Sequence, residues 1–145
     1  MATVREILDV KGLQVRTIGP EASALDAAVL MNKHKIGALL VMDAHTVIGI
    51  ITERDLLQRV VAESRDPAQT LVRDVMTVEM LCCHPHTTIE EARAVMRDHR
   101  VRHLPVLDDD GKLHGLISIG DLNAYDTHSQ EQTIHVLTAY IHGRT

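Results

Sequence analysis

The sequence predicts a mixed α/β fold built from two strand-helix-strand-strand-helix units, which pack with pseudo-two-fold symmetry and are followed by a C-terminal helix. The first observation is an internal repeat, because the segment ITERDL at 51–56 returns as ISIGDL at 117–122. The second is that 36–43 and 101–108 are matching, largely apolar runs that each end in aspartate. A repeat that covers most of a chain indicates packed supersecondary units, so a cleft between the units is expected twice.

The composition excludes several classes of protein. Of 145 residues, 45% are hydrophobic, which is enough to build a core and argues against disorder. A net charge of −5 and the near absence of aromatic residues argue against nucleic-acid binding. The longest apolar stretch is too short to span a membrane, and no secretory signal precedes it. The two adjacent cysteines, Cys82 and Cys83, fit a reducing compartment, so we expect a cytoplasmic protein.

The first unit is expected to cover residues 4–61. Thr3 to Glu6 has the form of a capping box, which predicts a short opening helix. A short strand is predicted over 15–18 and is followed by a helix. Its apolar positions recur at helical spacing and are expected to be buried: Leu25, Ala28, Val29 and Met31. Two β-favouring runs around residues 43–46 then predict a hairpin, and the polar Thr52 begins a second helix.

The second unit, residues 72–126, repeats this order after a linker over 62–71. Its hairpin turn contains Gly111, which adopts a positive φ at little cost. The remaining residues, 127–145, are predicted to form a C-terminal helix with a capping box beginning at Ser129.

The unit order, the segment VRHLPV at 101–106 and the hydroxyl-x-x-Asp motif after each hairpin resemble the cystathionine-β-synthase (CBS) domain family. The resemblance covers about residues 4–126 and implies a tandem pair, often called a Bateman module. It further implies a regulatory protein that needs no cofactor and has no catalytic activity. Its ligand would be an adenosine compound such as AMP, ATP or NAD, bound in the two clefts.

The resemblance implies the residues of each cleft. One cleft, the Asp121 cleft, would contain Val15, Ile36, Gly37, Ala38, Arg102, His103, Leu116, Ser118, Gly120 and Asp121. There Asp121 would accept hydrogen bonds from the ribose hydroxyls, while Ser118 and the helix N-terminus would favour a phosphate. Arg102 and His103 match positions that approach the phosphate across the cleft, and Arg102 stays charged at any relevant pH.

The other cleft, the Asp55 cleft, would contain Met80, Val101, Ile50, Thr52, Arg54 and Asp55. Arg102 and His103 align with Gly37 and Ala38 in the first unit, so this cleft is expected to lack the basic pair and to depend on Arg54. We therefore expect the Asp121 cleft to bind an anionic nucleotide more tightly. Leu40 also stands where the family usually has a proline, as it has at Pro105 in the second unit.

Several of these residues also have interpretations that involve no ligand. Thr52-x-x-Asp55 and Ser118-x-x-Asp121 are also ordinary helix caps, which stabilise a helix by about 0.5–2 kcal/mol without any ligand. Arg102, His103 and Arg54 are also compatible with solvated surface positions. The cluster from Cys82 to His86 contains ligand types that zinc prefers, but alternating strand faces and Pro85 give it poor spacing, so no metal site is predicted there.

These observations favour a binding module over an enzyme. No phosphate-binding loop, dinucleotide fingerprint or nucleophile elbow is present, so an enzyme is not expected. An adenosine-nucleotide sensor is favoured, acting on a separate effector protein; the ligands AMP, ATP, NAD and S-adenosylmethionine all share the adenosine that these residues would hold. The alternatives are a structural dimerisation scaffold with empty clefts, or metal binding through Cys82 to His86. In the family that the sequence resembles, the apolar helix faces pair two modules, so the resemblance implies a homodimer, of parallel or antiparallel arrangement.

Overall fold

The computed structural model describes residues 1–12 and 15–129, so most of the predicted C-terminal helix, residues 130–145, lies outside the described residues. The elements are α1 (Val4–Lys11), β1 (Thr17–Ile18), α2 (Ala24–His34), β2 (Ala38–Asp43), β3 (Thr46–Thr52), α3 (Glu53–Leu56), α4 (Val72–Val75), α5 (Ile89–His99), β4 (His103–Leu107), β5 (Leu113–Ser118) and α6 (Ile119–Ser129). A π-helical segment, Leu57–Val61, continues α3. The predicted α/β class is confirmed. None of the helices in the described part of the chain is long and apolar enough to cross a membrane.

The two hairpins have the same construction. Strand β2 pairs antiparallel with β3, and β4 pairs antiparallel with β5. The register of the first hairpin shifts between Val41 and Met42, and that of the second shifts at the corresponding point between Val106 and Leu107. The repeat seen in the sequence therefore extends to the irregularities of the strands.

The opening strand differs between the units. Predicted over 15–18, it is confined in the first unit to Thr17–Ile18, where β1 runs parallel to β2 and the Leu40 N–H donates to the Arg16 carbonyl at 3.3 Å. In the second unit the residue that corresponds to Leu40 is Pro105, which has no N–H to donate. The chain there forms only a single bridge, from Cys83 to Val106, so the predicted opening strand is absent from this part of the described chain.

The first helix of each unit packs against the other unit. Helix α1 contributes Val4, Ile7 and Leu8 to the core of the second repeat, while α4 contributes Val72 and Val75 to the core of the first. The backbone contacts match: Val4 N–H donates to the Thr87 carbonyl at 2.8 Å, and Val72 N–H donates to the Ala22 carbonyl at 2.8 Å. Each repeat therefore completes the core of the other.

This exchange explains why α1 lacks the predicted capping box. The Thr3 side chain makes no cap hydrogen bond. The first N–H groups of the helix, those of Val4 and Arg5, instead donate to the carbonyls of Thr87 and Pro85 in the second repeat. The Glu6 N–H, which a capping-box side chain would accept, donates to the Thr3 carbonyl at 3.0 Å. Because all three donors are already satisfied, the helix needs no side-chain cap at this end.

The buried face of α2 also differs from the prediction. Ala24, Ala27 and Met31 are buried, whereas Leu25 is 45% exposed and Val29 is 56% exposed. The helix therefore turns its alanines toward the core and leaves two larger apolar side chains on the surface.

A third apolar cluster joins the two repeats. It contains the buried Ala38, Leu40 and Ile50 from the first repeat, with Leu113 and Leu116 of the second packed against them. Strands β2 and β3 of the first repeat therefore pack against β5 of the second, and the candidate site lies beside this contact.

Candidate functional site

A cavity of about 660 Å³ opens between the two repeats, a size that suits a small organic ligand. All six residues predicted for the Asp55 cleft line it: Met80, Val101, Ile50, Thr52, Arg54 and Asp55. Half of those predicted for the Asp121 cleft also line it: Gly37, Arg102, His103, Ser118 and Gly120. The two predicted residue sets are therefore largely brought together around one cavity.

The remaining residues predicted for the Asp121 cleft lie elsewhere. Val15, Ala38 and Leu116 belong to the central apolar cluster. Ile36 lines a separate open groove beside α2 and α3. Asp121 is not among the residues that line the cavity, and its carboxylate is paired with Lys11 instead.

Arg102 and His103 of the second repeat line the same cavity as Thr52 and Asp55 of the first, although the resemblance assigns them to the Asp121 cleft. The physical reason is the position of His103, which begins β4 at the meeting point of the repeats. A Cβ atom added to Gly37 in the first repeat would lie 3.4 Å from its Cε1 atom. The expectation that the Asp121 cleft binds an anionic nucleotide more tightly stays a prediction.

Asp55 is buried and fully engaged. It is 5% exposed, and its Oδ2 atom accepts the Thr52 N–H at 3.0 Å in a reciprocal capping box. Its Oδ1 atom accepts the Thr77 hydroxyl at 2.9 Å, with Arg59 Nε at 3.8 Å. Thr77 was not predicted from the sequence, since a lone hydroxyl residue after a short helix carries no distinctive signal.

Asp121 occupies the corresponding place in the second repeat. Its Oδ2 atom accepts the Ser118 N–H at 2.8 Å, and the Ser118 hydroxyl accepts the Asp121 N–H at 3.1 Å. The same Oδ2 atom accepts a hydrogen bond from Lys11 Nζ at 2.8 Å. Lys11 was also missed, because only the packing of α1 on the second repeat brings it to this carboxylate.

The two arginines that line the cavity, Arg54 and Arg102, differ in whether their guanidinium groups are already hydrogen-bonded. Arg54 is held by a hydrogen bond from its Nη1 atom to the Arg100 carbonyl at 2.7 Å, which crosses from one repeat to the other. The exposed Arg102 side chain makes no hydrogen bond or ion pair with the other described residues. Among these described side chains, Arg102 is therefore the cation most available to a ligand.

His103 is neutral at physiological pH. Its pKa is lowered to about 4, chiefly by burial and then by the Lys11 ammonium; the Asp121 carboxylate opposes this shift and Arg102 adds a smaller lowering. The imidazole therefore offers one hydrogen-bond donor and one acceptor but no positive charge.

The walls of the cavity combine apolar and polar surfaces. Apolar side chains from both repeats line one part: Ile50, Met80, Leu81 and Val101. The cap residue Thr52, the acids Glu53 and Glu79, and the two arginines line the rest. Such a cavity accommodates a flat apolar ring that carries a polar, charged extension.

The segment from Cys82 to His86 forms no metal-binding cluster with the other described residues. The described residues contain no group of three or more His, Cys, Asp or Glu side chains that could hold a metal ion. Burial raises the pKa of the Cys83 thiol to about 12, so it is protonated, and its backbone N–H and carbonyl bind β4. His84 Nδ1 accepts the His86 N–H at 3.1 Å, which further reduces its capacity as a ligand.

Comparison with known proteins gives a consistent result. The sequence model of the CBS domain matches residues 4–62 and 72–127. The CBS domain-containing protein YhcV of Bacillus subtilis is 35% identical over 136 residues, which cover 94% of this chain and 95% of YhcV. A putative signal-transduction protein with CBS domains from Burkholderia ambifaria is 42% identical and superposes with a TM-score of 0.85, over 89% of this chain and 96% of that chain.

One further solved structure bears on the metal hypothesis. Hypoxic Response Protein I, determined with two coordinated zinc ions, is 27% identical, with a TM-score of 0.70 over 86% of this chain and 99% of its own. That protein therefore coordinates zinc, whereas the described residues here contain no group of three or more His, Cys, Asp or Glu side chains that could hold a metal ion.

Proposed function

Because this chain belongs to the CBS domain family as a tandem pair, we propose that it is a regulatory module that binds an adenine nucleotide in its central cavity and catalyses no reaction. AMP, ATP and NAD are the ligands of this proposal. The signal would pass to a separate effector protein in the cytoplasm. Ligand binding would favour one arrangement of the two repeats to the extent that its affinity for the two arrangements differs.

The observation that carries the proposal is the pairing of an apolar wall with a polar end in one cavity. Met80, Leu81 and Val101 offer an apolar surface to an adenine ring. Asp55 lies in the same cavity, and its carboxylate already accepts a hydroxyl, that of Thr77, at 2.9 Å. A ribose hydroxyl would replace this donor with one of the same chemistry, which keeps the buried carboxylate satisfied.

Arg102 supports a phosphate at the other end of the ligand. Its guanidinium stays charged at physiological pH and makes no hydrogen bond with the other described residues, so it is available for a bidentate contact. Arg54 also lines the cavity, but its tie to the Arg100 carbonyl makes it a weaker candidate.

The proposal is tested by isothermal titration of the protein with AMP, ATP, NAD and S-adenosylmethionine. Leu81→Glu places a carboxylate on the apolar wall and is expected to abolish saturable binding. Val78→Glu is the matched control, because Val78 is an exposed apolar residue of the same segment but does not line the cavity. We expect it to bind as the wild type does.

A second pair of variants tests the phosphate contact. Arg102→Ala is expected to weaken AMP binding about tenfold or more while changing adenosine binding little, since one charge-assisted contact to a phosphate is lost. The exposed Arg97→Ala is the control. If Arg102→Ala weakened the binding of AMP and of adenosine equally, Arg102 would not contact the phosphate.

The exposed apolar residues of the first repeat favour the alternative of a dimerisation scaffold. A wild-type protein that gives no saturable binding with any of the four ligands, yet associates with itself, would establish that alternative and reject the nucleotide proposal. Homodimer formation is part of both.

A further inference from the structure

Thr77 and Lys11 each donate one hydrogen bond to a strand carbonyl and one to the motif carboxylate, at equivalent places in the two repeats. In the first repeat, the Thr77 N–H donates to the Ile50 carbonyl at 2.8 Å and its hydroxyl donates to Asp55 Oδ1 at 2.9 Å. In the second repeat, the Lys11 ammonium donates to the Leu116 carbonyl at 2.7 Å and to Asp121 Oδ2 at 2.8 Å.

The lengths of the exchanged helices explain this difference. Helix α4 ends at Val75, so the chain is extended at Thr77 and its backbone reaches β3 directly. Helix α1 continues to Lys11, so its backbone is closed in helical hydrogen bonds there, and only a long side chain reaches β5. Asp55 thus accepts a hydrogen bond from a neutral hydroxyl, with Arg59 Nε farther away at 3.8 Å, whereas Asp121 accepts one directly from a cation.

We propose that Lys11 makes the site around Ser118, Gly120 and Asp121 selective for anionic ligands, an inference that rests on the proposed nucleotide-binding function. A neutral nucleoside that bonded its ribose hydroxyls to Asp121 would have to displace the ammonium and leave it without its anionic partner. Separating a partly buried ion pair without replacing either partner is unfavourable. The side chains of Lys11 and Asp121 are 35% and 23% exposed, so the pair is partly shielded from water.

A nucleotide avoids this cost. Its ribose hydroxyls replace the ammonium on Asp121, while its phosphate accepts hydrogen bonds from the released ammonium, so both charges keep a partner. The four-carbon stem of lysine is flexible and allows this movement. At Asp55 the displaced donor is the neutral Thr77 hydroxyl, so the same requirement for an anion does not arise there.

The test compares adenosine and AMP on the full-length chain. Titrations followed by amide NMR separate the two motif carboxylates. The signals of Leu116 and Asp121, which contact Lys11 and do not line the cavity, report on one, and those of Asp55 and Thr77, which line it, report on the other. The variants are Lys11→Met, which keeps a stem of similar length without the charge, and Lys11→Arg, which keeps the charge. Lys112→Met, at an exposed position in the second hairpin, controls for the loss of one positive charge.

We expect the wild type to prefer AMP over adenosine when binding is followed at the Leu116 and Asp121 signals. Lys11→Met should reduce this preference about tenfold or more, by weakening AMP and strengthening adenosine, whereas Lys11→Arg and Lys112→Met should keep it. An unchanged preference in Lys11→Met, with AMP still bound, would overturn the inference and leave the proposed function intact. A wild type that binds neither compound would reject both.

Discussion

Two glycines allow the exchanged helices to approach the strands of the opposite repeat. A Cβ atom at Gly49 would lie 2.8 Å from Met76 Sδ and 2.9 Å from the Thr77 carbonyl oxygen. A Cβ atom at the equivalent Gly115 would lie 2.7 Å from Leu8 Cδ2. The two contacts differ in kind, because the methyl group of leucine can rotate away whereas a carbonyl in a β-bridge cannot move as easily.

This difference predicts unequal effects of one substitution. Gly49→Ala should lower the free energy of unfolding by about 1–3 kcal/mol, since overpacking moves the backbone at Thr77. Gly115→Ala should cost about 1 kcal/mol or less, because Leu8 adjusts and alanine is favoured over glycine in a strand by a similar amount. Urea denaturation of both variants measures this, and a larger loss for Gly115→Ala would contradict the reasoning.

His103 is expected to make stability depend on pH. Its pKa in the folded chain is about 4, below the usual 6.5, so the unfolded chain binds more protons between these values. Stability should therefore fall as the pH falls from 6.5 toward 4, and His103→Gln should reduce the loss between pH 7 and 5 by about 1–2 kcal/mol. The exposed His45→Gln serves as the control in urea denaturation at both pH values. An unchanged pH dependence in His103→Gln would show that this imidazole is not held neutral.

At the scale of elements, the two hairpin turns differ in how well their residues suit the backbone. Gly111 has a φ of 80°, and Ala44 in the other turn has a φ of 56°, which is costly for a residue with a Cβ atom. Ala44→Gly should therefore raise the free energy of unfolding by about 0.5–1 kcal/mol. Ala94→Gly, within α5, should lower it by a similar amount. Thermal or urea denaturation of the two variants measures these changes, and a loss of stability in Ala44→Gly would contradict this account.

Most elements were predictable because their signals are local. The hairpins follow from β-favouring runs around turn residues, and the helices after each hairpin follow from the caps at Thr52 and Ser118, which both form. The missing opening strand of the second repeat was not predicted. In the first repeat the Leu40 N–H bonds to the opening strand, and Pro105 at the equivalent position has no N–H to donate. The sequence does not reveal that this particular N–H points toward the opening strand, because that depends on tertiary packing.

The candidate site was only partly predictable for a similar reason. The motif residues Thr52 and Asp55 lie in the cavity, as does Arg102 from the other repeat. Lys11 and Thr77, which satisfy the two motif carboxylates, come from the exchanged helices and the chain beyond them. No periodicity or spacing in the sequence indicates that α1 packs on the second repeat and α4 on the first.

At the scale of the whole molecule, two helical segments of the first repeat expose apolar side chains. Leu25 and Val29 on α2 are 45% and 56% exposed, and Leu57 and Val61 beyond α3 are 62% and 65% exposed. The positions that correspond to Leu25 and Leu57 in the second repeat are polar, as the sequence shows with glutamate at 90 and asparagine at 123. This favours a dimer in which the first repeats of two copies face each other.

Val29→Asp should therefore convert a dimer to a monomer, because it would bury an unpaired carboxylate in the interface. Val10→Asp, at an apolar residue on α1 that is 88% exposed, is the control and should leave the dimer intact. Light scattering over a range of protein concentrations measures the mass. A wild-type protein that stays monomeric would contradict the proposed homodimer.

The measurement that tests the central claim most directly is an amide NMR titration of the wild-type chain with AMP. If the cavity between the repeats is the nucleotide site, saturable shifts should appear at residues of both repeats that line it, including Thr52, Leu81, Val101 and Arg102. Signals on the far surface, such as those of Leu25, should stay in place. No shifts at saturating AMP, or shifts confined to residues outside the cavity, would contradict the account.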